Sequence, residues 1–155
     1  MTETGEATAS ASLIVLCRPD YLALGRLVAG ALGARQGWDE EVIVDLKVVV
    51  SEVASFFLAS SESPAGHPNE HGLSAGCSLR LDFEVAPDEW TLTVTNPDLG
   101  LRIPRSAFSD PTTERALGLT VVQALADSVE HTDDEAQGTV FRLRKHISPI
   151  DIAAD

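Results

Sequence analysis

The strongest constraint on the fold is a long apolar stripe that recurs at helical spacing within residues 42–57. Its members stand three, four or seven positions apart: Val42, Ile43, Leu46, Val49, Val50, Val53 and Phe57. This spacing predicts a helix with one buried face. Asp39 precedes it as an N-cap, followed by two glutamates in the first turn, where the helix dipole favours acids. Asp45, Glu52 and Phe56 fall on one margin of the stripe, from which side chains of a core helix can face a pocket.

The other segments predict one helix before this one, one after it, and five strands. Residues 12–17 read as a strand, and residues 21–32 as a helix with apolar positions at helical spacing. Residues 78–85 and 90–94 alternate apolar and polar side chains, which is typical of a hairpin with one buried face. The last predicted elements are a helix at 117–125 and strands at 128–131 and 139–145. Such an order predicts an α+β sandwich, a mixed β-sheet covered on one face by three helices.

The length of 155 residues fits one domain with a single core. We expect this domain to span residues 11–147, between disordered tails at 1–10 and 148–155. Residues 60–76 are rich in Ser, Pro, Gly and His and predict a flexible loop. Residues 97–113 are too long for a plain turn, and long connections are more often functional.

The charge balance argues against direct binding to nucleic acid. The chain has 24 acidic residues against 11 lysines and arginines, a formal net charge of −13, whereas proteins neutralise phosphates with Lys and Arg. The acidity fits either a cationic protein partner or simple solubility. The first ten residues lack a basic start and an apolar stretch, and no apolar run is long enough to span a membrane. We therefore expect a cytoplasmic protein with no membrane contact, with Cys17 and Cys77 reduced.

Several short motifs, in their order and spacing, resemble the GHKL ATPase domain. They are residues 51–55 (SEVAS), 96–100 (NPDLG), 113–122 (TERALGLTVV), 138–141 (GTVF) and the ending 143–147 (LRKHI). Within that group, the chain is most similar to the small anti-sigma-factor serine kinases of bacterial partner-switching systems. The resemblance covers roughly residues 11–147, and it implies the GHKL-type α/β sandwich.

The resemblance implies that Glu52 is the acid that activates the attacking hydroxyl or water in phosphoryl transfer. Four residues further on, the family has an Asn that coordinates Mg²⁺, and this sequence has Phe56. A phenyl ring offers no oxygen ligand to Mg²⁺. We therefore expect no metal site, with Glu52 vestigial as a catalyst. Phe56 either widens the apolar stripe or fills the former metal corner.

The remaining nucleotide motifs also depart from the family. Its Asp-x-Gly-x-Gly pattern reads here as Asn96, Asp98 and Gly100, in which Asn96 keeps an acceptor for adenine and Asp98 adds a negative charge. Its phosphate-loop Gly-x-Gly retains only Gly118. The resemblance implies that Arg115 could pair with a terminal phosphate and that Thr139 lies near the nucleotide. Weak ATP binding is the expectation.

The family also indicates partners. An Arg on its first helix meets both the sigma factor and the antagonist, and Arg26 holds that place, although a solvated surface Arg explains it equally well. The leading hypothesis is an anti-sigma factor that captures a sigma factor as a homodimer and is relieved by an anti-anti-sigma protein. One alternative is a working serine kinase with Glu52 as base and an unusual metal arrangement involving Asp98 or Asp45. Another is a pseudo-ATPase that pairs with an intact paralogue.

Overall fold

The computed structural model describes residues 8–61, 78–96, 114–134 and 138–148, and these contain three helices and five strands. In chain order the elements are β1 (Ala9–Leu16), α1 (Pro19–Arg35), α2 (Glu40–Ser61), β2 (Ser78–Ala86), β3 (Glu89–Thr95), α3 (Glu114–Leu125), β4 (Ser128–Asp134) and β5 (Gly138–His146). The predicted α+β class and element order are confirmed. Several boundaries differ by a few residues; in particular, β1 begins inside the predicted N-terminal tail and α2 continues into the predicted loop at 60–76.

The sheet has the strand order β1-β2-β3-β5-β4. All four pairings among the described strands are antiparallel, so the expectation of a mixed sheet is wrong in that detail. Of the described helices, α1 and α2 lie between β1 and β2 in the chain, and these strands are antiparallel neighbours. Of the same described set, α3 lies between β3 and β4, which run parallel to each other with β5 between them.

The core lies between this sheet and α2. The predicted stripe is confirmed, since five of its members are buried: Leu46, Val49, Val50, Val53 and Phe57. The inward side chains of β2, β3 and β5 complete the layer, among them Leu81, Phe83, Leu92, Val94, Phe141 and Leu143. Asp39 accepts a hydrogen bond through Oδ1 from the Glu40 amide at 2.8 Å, at the predicted start of α2.

Helix α1 buries a different face from the one that its large apolar residues indicate. Three of those residues are exposed: Tyr21 by 38%, Leu24 by 40% and Leu27 by 67%. The buried positions are Leu22, Gly25, Ala29 and Gly33. A Cβ on Gly25 would lie 3.0 Å from Val50 Cγ1, and one on Gly33 would lie 2.7 Å from Ile43 Cγ1. Small residues therefore let α1 approach α2 closely.

The turn between α1 and α2 is closed by hydrogen bonds around Gly37. Its φ of 74° is the left-handed conformation that favours glycine. The Gly37 amide donates to Ala34 O and the Trp38 amide to Gly33 O, both at 3.1 Å. Trp38 then donates its Nε1–H to Pro87 O at 3.0 Å, which ties this turn to the β2–β3 turn.

Cys17 follows β1 and is 4% exposed. It is disulfide-bonded, so the expectation of a reduced thiol is wrong for this residue. Cys77 lies outside the described residues. A disulfide depends on how strands pair in space, and the sequence spacing of two isolated cysteines carries no signal of that pairing.

In the described part of the chain, no helix combines the length and the apolar character that crossing a membrane requires.

Candidate functional site

Helix α2 lies beside α1 and α3, and its two flanks carry different site candidates. On the α1 side, Arg26 Nη1 donates a hydrogen bond to Ser51 Oγ at 3.2 Å. On the α3 side, the half-buried Glu52 lies against Gly118. Arg26 and Glu52 are therefore on opposite flanks of α2, although Ser51 and Glu52 are neighbours in sequence.

Glu52 and Gly118 are the predicted site residues that the structure brings into closest contact. A Cβ built on Gly118 would lie 2.5 Å from Glu52 Oε2 and 3.6 Å from Glu52 Cδ. The acid of the predicted catalytic motif and the remaining glycine of the predicted phosphate loop thus touch across the α2–α3 contact. This arrangement leaves one carboxylate oxygen beside the backbone of α3.

Phe56 lies one helical turn beyond Glu52 and is 4% exposed. Its ring centroid is 5.7 Å from that of Phe141 on β5, with the planes tilted by 56°. The Phe57 ring contacts Phe141 at the same centroid distance in an edge arrangement. Position 56 therefore belongs to the aromatic core and offers no oxygen to a metal ion.

Asn96 and Thr139 lie at the same end of the sheet as this aromatic cluster. Val94 pairs with Phe141; Asn96 follows Val94 by two residues and Thr139 precedes Phe141 by two, which places both at the same end of these antiparallel strands. Both are buried, Asn96 at 0% and Thr139 at 1% exposure. Thr139 donates its hydroxyl hydrogen to Asp133 Oδ1 at 2.9 Å, which gives it a role in the β4–β5 pair.

Three predicted site residues lie wholly or partly outside the described part of the chain. Asp98 and Gly100 lie outside the described residues, as does the whole segment 97–113. Arg115 belongs to α3, but its side chain is outside the described part. Within the described residues, no group of three or more His, Cys, Asp or Glu side chains is arranged to hold a metal ion.

Sequence reasoning missed two contacts of the site. Phe141 appears in the sequence only as an inward position of an alternating strand, which does not reveal that it meets Phe56. Lys47 extends along α1, since a Cβ on Gly30 would lie 2.9 Å from Lys47 Cε. Helical spacing predicts the flank of α2 on which Lys47 lies. It does not predict that the Lys47 side chain contacts α1 at Gly30.

Asp127 shows the clearest electrostatic effect, at the turn between α3 and β4. The backbone amide of His146 donates to Asp127 Oδ2 at 2.6 Å, and Lys145 Nζ lies 3.3 Å from Oδ1. Mainly through the amide hydrogen bond, and secondarily through Lys145, the pKa of this carboxyl is held below its usual value. The interaction fastens the end of β5 to this turn.

Together these features define an α+β sandwich in which an acid on α2 lies against a glycine on α3, one helical turn from an aromatic residue of the core. The serine-protein kinase RsbW of Listeria innocua serovar 6a is 29% identical to the chain over 134 residues, 80% of each protein. The serine-protein kinase RsbW of Listeria monocytogenes serovar 1/2a is 28% identical over 134 residues with the same coverage. No protein-family model matches the chain. The similarity to both kinases extends along most of the chain and supports the resemblance that the motifs indicated.

Proposed function

We propose that the protein is an anti-sigma factor that acts by capturing its partner and has a weakened nucleotide site. The similarity to two serine-protein kinases supports the regulator class. The burial of Phe56 against Phe141 is the observation that favours capture over catalysis. An aromatic core residue stands where the resembling family places a magnesium ligand.

The proposed loss of Mg²⁺ binding has a direct chemical reason. Mg²⁺ requires oxygen ligands in near-octahedral geometry and normally bridges the β- and γ-phosphates. The Phe56 side chain has no oxygen atom, and its ring packs against Phe141, which Phe57 also contacts. ATP binding, if retained at Asn96 and Gly118, is proposed to be weak and independent of Mg²⁺.

The proposed partners are a sigma factor, which the protein sequesters as a homodimer, and an anti-anti-sigma protein that releases it. Arg26 is the proposed contact residue. It is exposed on α1, and its hydrogen bond to Ser51 holds the guanidinium beside α2. The net charge of −13 supports a protein partner over direct contact with nucleic acid. A cytoplasmic location follows from this proposed role.

Binding measurements with purified sigma factors of the native host test the proposal. We expect one of them to bind without nucleotide, and Arg26→Ala to weaken that binding by about tenfold or more, as is common for interface Arg residues. Arg35→Ala is the matched control, because Arg35 is exposed at the far end of the same helix. If none of the sigma factors binds, the proposal fails.

An active serine kinase is the second candidate. The contact between Glu52 and Gly118 favours it, because the acid still lies beside the helix that carries the phosphate-loop motif. In this role Glu52 would accept the proton of a serine hydroxyl on the antagonist protein.

Transfer of radiolabelled phosphate from ATP to the antagonist distinguishes the two candidates. A working kinase predicts transfer that disappears in Glu52→Ala and persists in Glu41→Ala, an exposed acid on the same helix. The capture proposal predicts no transfer in any of the three proteins.

A further inference from the structure

We propose that Gly118 is a positioning residue for Glu52: it is a glycine because the Glu52 carboxylate occupies the space that a side chain would take. The inference gives Gly118 a role within the proposed site, and it rests on the proposal that Glu52 is the acid of that site. It does not depend on sigma-factor capture or on nucleotide binding.

Backbone conformation does not explain the glycine. Among the described residues, the glycines with a positive φ are Gly37 and Gly138, and Gly118 is not one of them. Gly118 lies inside α3, where glycine is less favourable than alanine. Any residue except proline could adopt this helical backbone, so the lack of a side chain is the property to explain.

The surroundings of Gly118 identify a single neighbour. The three atoms nearest to a Cβ at this position all belong to Glu52: Oε2 at 2.5 Å, Cδ at 3.6 Å and Cβ at 4.0 Å. The other close-packed helical glycines face different residues, since Gly25 meets Val50 and Leu81 and Gly30 meets Lys47. A methyl group at position 118 would therefore displace the carboxylate of Glu52 first.

This contact gives the glycine a role that is separate from phosphates. A flexible Glu side chain has several rotamers, and the absence of a Cβ at Gly118 leaves room for the one that places Oε2 beside α3. The other glycine position of the motif, residue 116, is alanine in this chain. If Glu52 needs the space beside position 118, glycine is required at 118 and not at 116, as in this sequence.

A double-mutant cycle tests the inference through thermal stability, without nucleotide or partner. In a Glu52→Ala background, Gly118→Ala should raise Tm by about 2–4 °C, because alanine is the better helix former. With Glu52 present, the same substitution should raise Tm by less than half of that amount or lower it. Gly30→Ala is the matched control and should show the same Tm change in both backgrounds.

A spectroscopic readout separates positioning from packing. The carboxyl carbon of Glu52, labelled with ¹³C and assigned by its loss in Glu52→Gln, should shift in Gly118→Ala and stay in place in Gly30→Ala. Glu52→Asp, whose carboxylate is one methylene shorter, should restore the full Tm gain from Gly118→Ala.

Equal Tm changes from Gly118→Ala with and without Glu52, or an unmoved Glu52 resonance, would overturn the inference. A Gly118→Ala protein that fails to fold in both backgrounds would overturn it as well, since a neighbour other than Glu52 would then oppose the methyl group. A failed search for a sigma-factor partner leaves these readouts unaffected, so the two proposals fail independently.

Discussion

At the residue scale, the surroundings of Phe56 decide whether position 56 belongs to the core or could hold a metal ion. Its neighbours on α2, Val53 and Phe57, are 2% and 0% exposed, and Phe56 itself is 4% exposed. The sequence placed it on the margin of the apolar stripe and left two interpretations open. The contact with Phe141 shows that the ring is part of the core. That contact was not predictable, because it joins elements far apart in the chain.

Replacing Phe56 with asparagine should lower the free energy of unfolding by about 2–4 kcal/mol. The change removes a buried ring and introduces an amide into an apolar environment. Urea denaturation of the variant and of Phe56→Leu, which keeps an apolar side chain, measures the difference. The Leu variant should lose less stability, and a Phe56→Asn protein as stable as the parent would show that the ring contributes nothing to the core.

At the element scale, α2 was predictable and α1 was not. A stripe of large apolar residues identifies the buried face of a helix that packs on a sheet, as in α2. In α1 the buried positions are mainly small residues that permit close approach to α2, whereas Tyr21, Leu24 and Leu27 are exposed. Helical periodicity predicts the helix in both cases. It identifies the buried face only where that face consists of large apolar side chains.

The small residues on the buried face of α1 predict effects of different size for two nearby alanines. Ala29 is 0% exposed, whereas Ala31 is exposed. Ala29→Leu should destabilise the protein by about 1–3 kcal/mol, because the added atoms have no space between the helices. Ala31→Leu should change stability by less than about 0.5 kcal/mol. Equal effects in chemical denaturation would contradict this assignment of the buried face.

The contact between the α3–β4 turn and the end of β5 predicts a pH-dependent contribution from Asp127. Its pKa in the folded state lies below the ordinary value of 3.8. The ionised carboxylate therefore stabilises the fold above about pH 4, and this contribution is lost as the pH falls through the folded-state pKa. The Asp127 side chain is 51% exposed, which limits the effect to under about 1 kcal/mol.

Asp127→Asn isolates this charge, because the amide keeps an acceptor for the His146 N–H. Denaturation at several pH values should show the parent protein more stable than the variant at pH 7. The difference should shrink steadily below pH 4. A difference that stays constant across this range would show that the charge of Asp127 is not responsible.

At the scale of the whole molecule, the element order fixed the fold class but not the sheet topology. The sequence predicted all five described strands, three of them from alternating segments at 78–85, 90–94 and 139–145, and the class followed from the element order. The all-antiparallel pairing depends on β5 lying between β3 and β4. Long-range packing determines this strand order, and the local periodicity of the sequence carries no information about it.

The candidate site was predictable only in part, because its contacts also depend on long-range packing. The sequence singled out both Glu52 and Gly118 from separate motifs, and the structure brings them into contact. The sequence did not indicate that the Glu52 carboxylate fills the space beside Gly118, because this contact depends on how closely α3 approaches α2. The hydrogen bond between Thr139 and Asp133 was likewise hidden, since it follows from the pairing of β4 and β5.

The central claim is that this molecule works by protein capture with a nucleotide site that has lost its metal. Calorimetric titration of the purified protein with ATP and ADP, each with and without Mg²⁺, tests it most directly. The account predicts no effect of Mg²⁺ and binding no tighter than about 1 mM, a free energy near −4 kcal/mol. Saturable ATP binding that strengthens with Mg²⁺ would contradict it, because a metal ligand other than residue 56 would then have to complete the site.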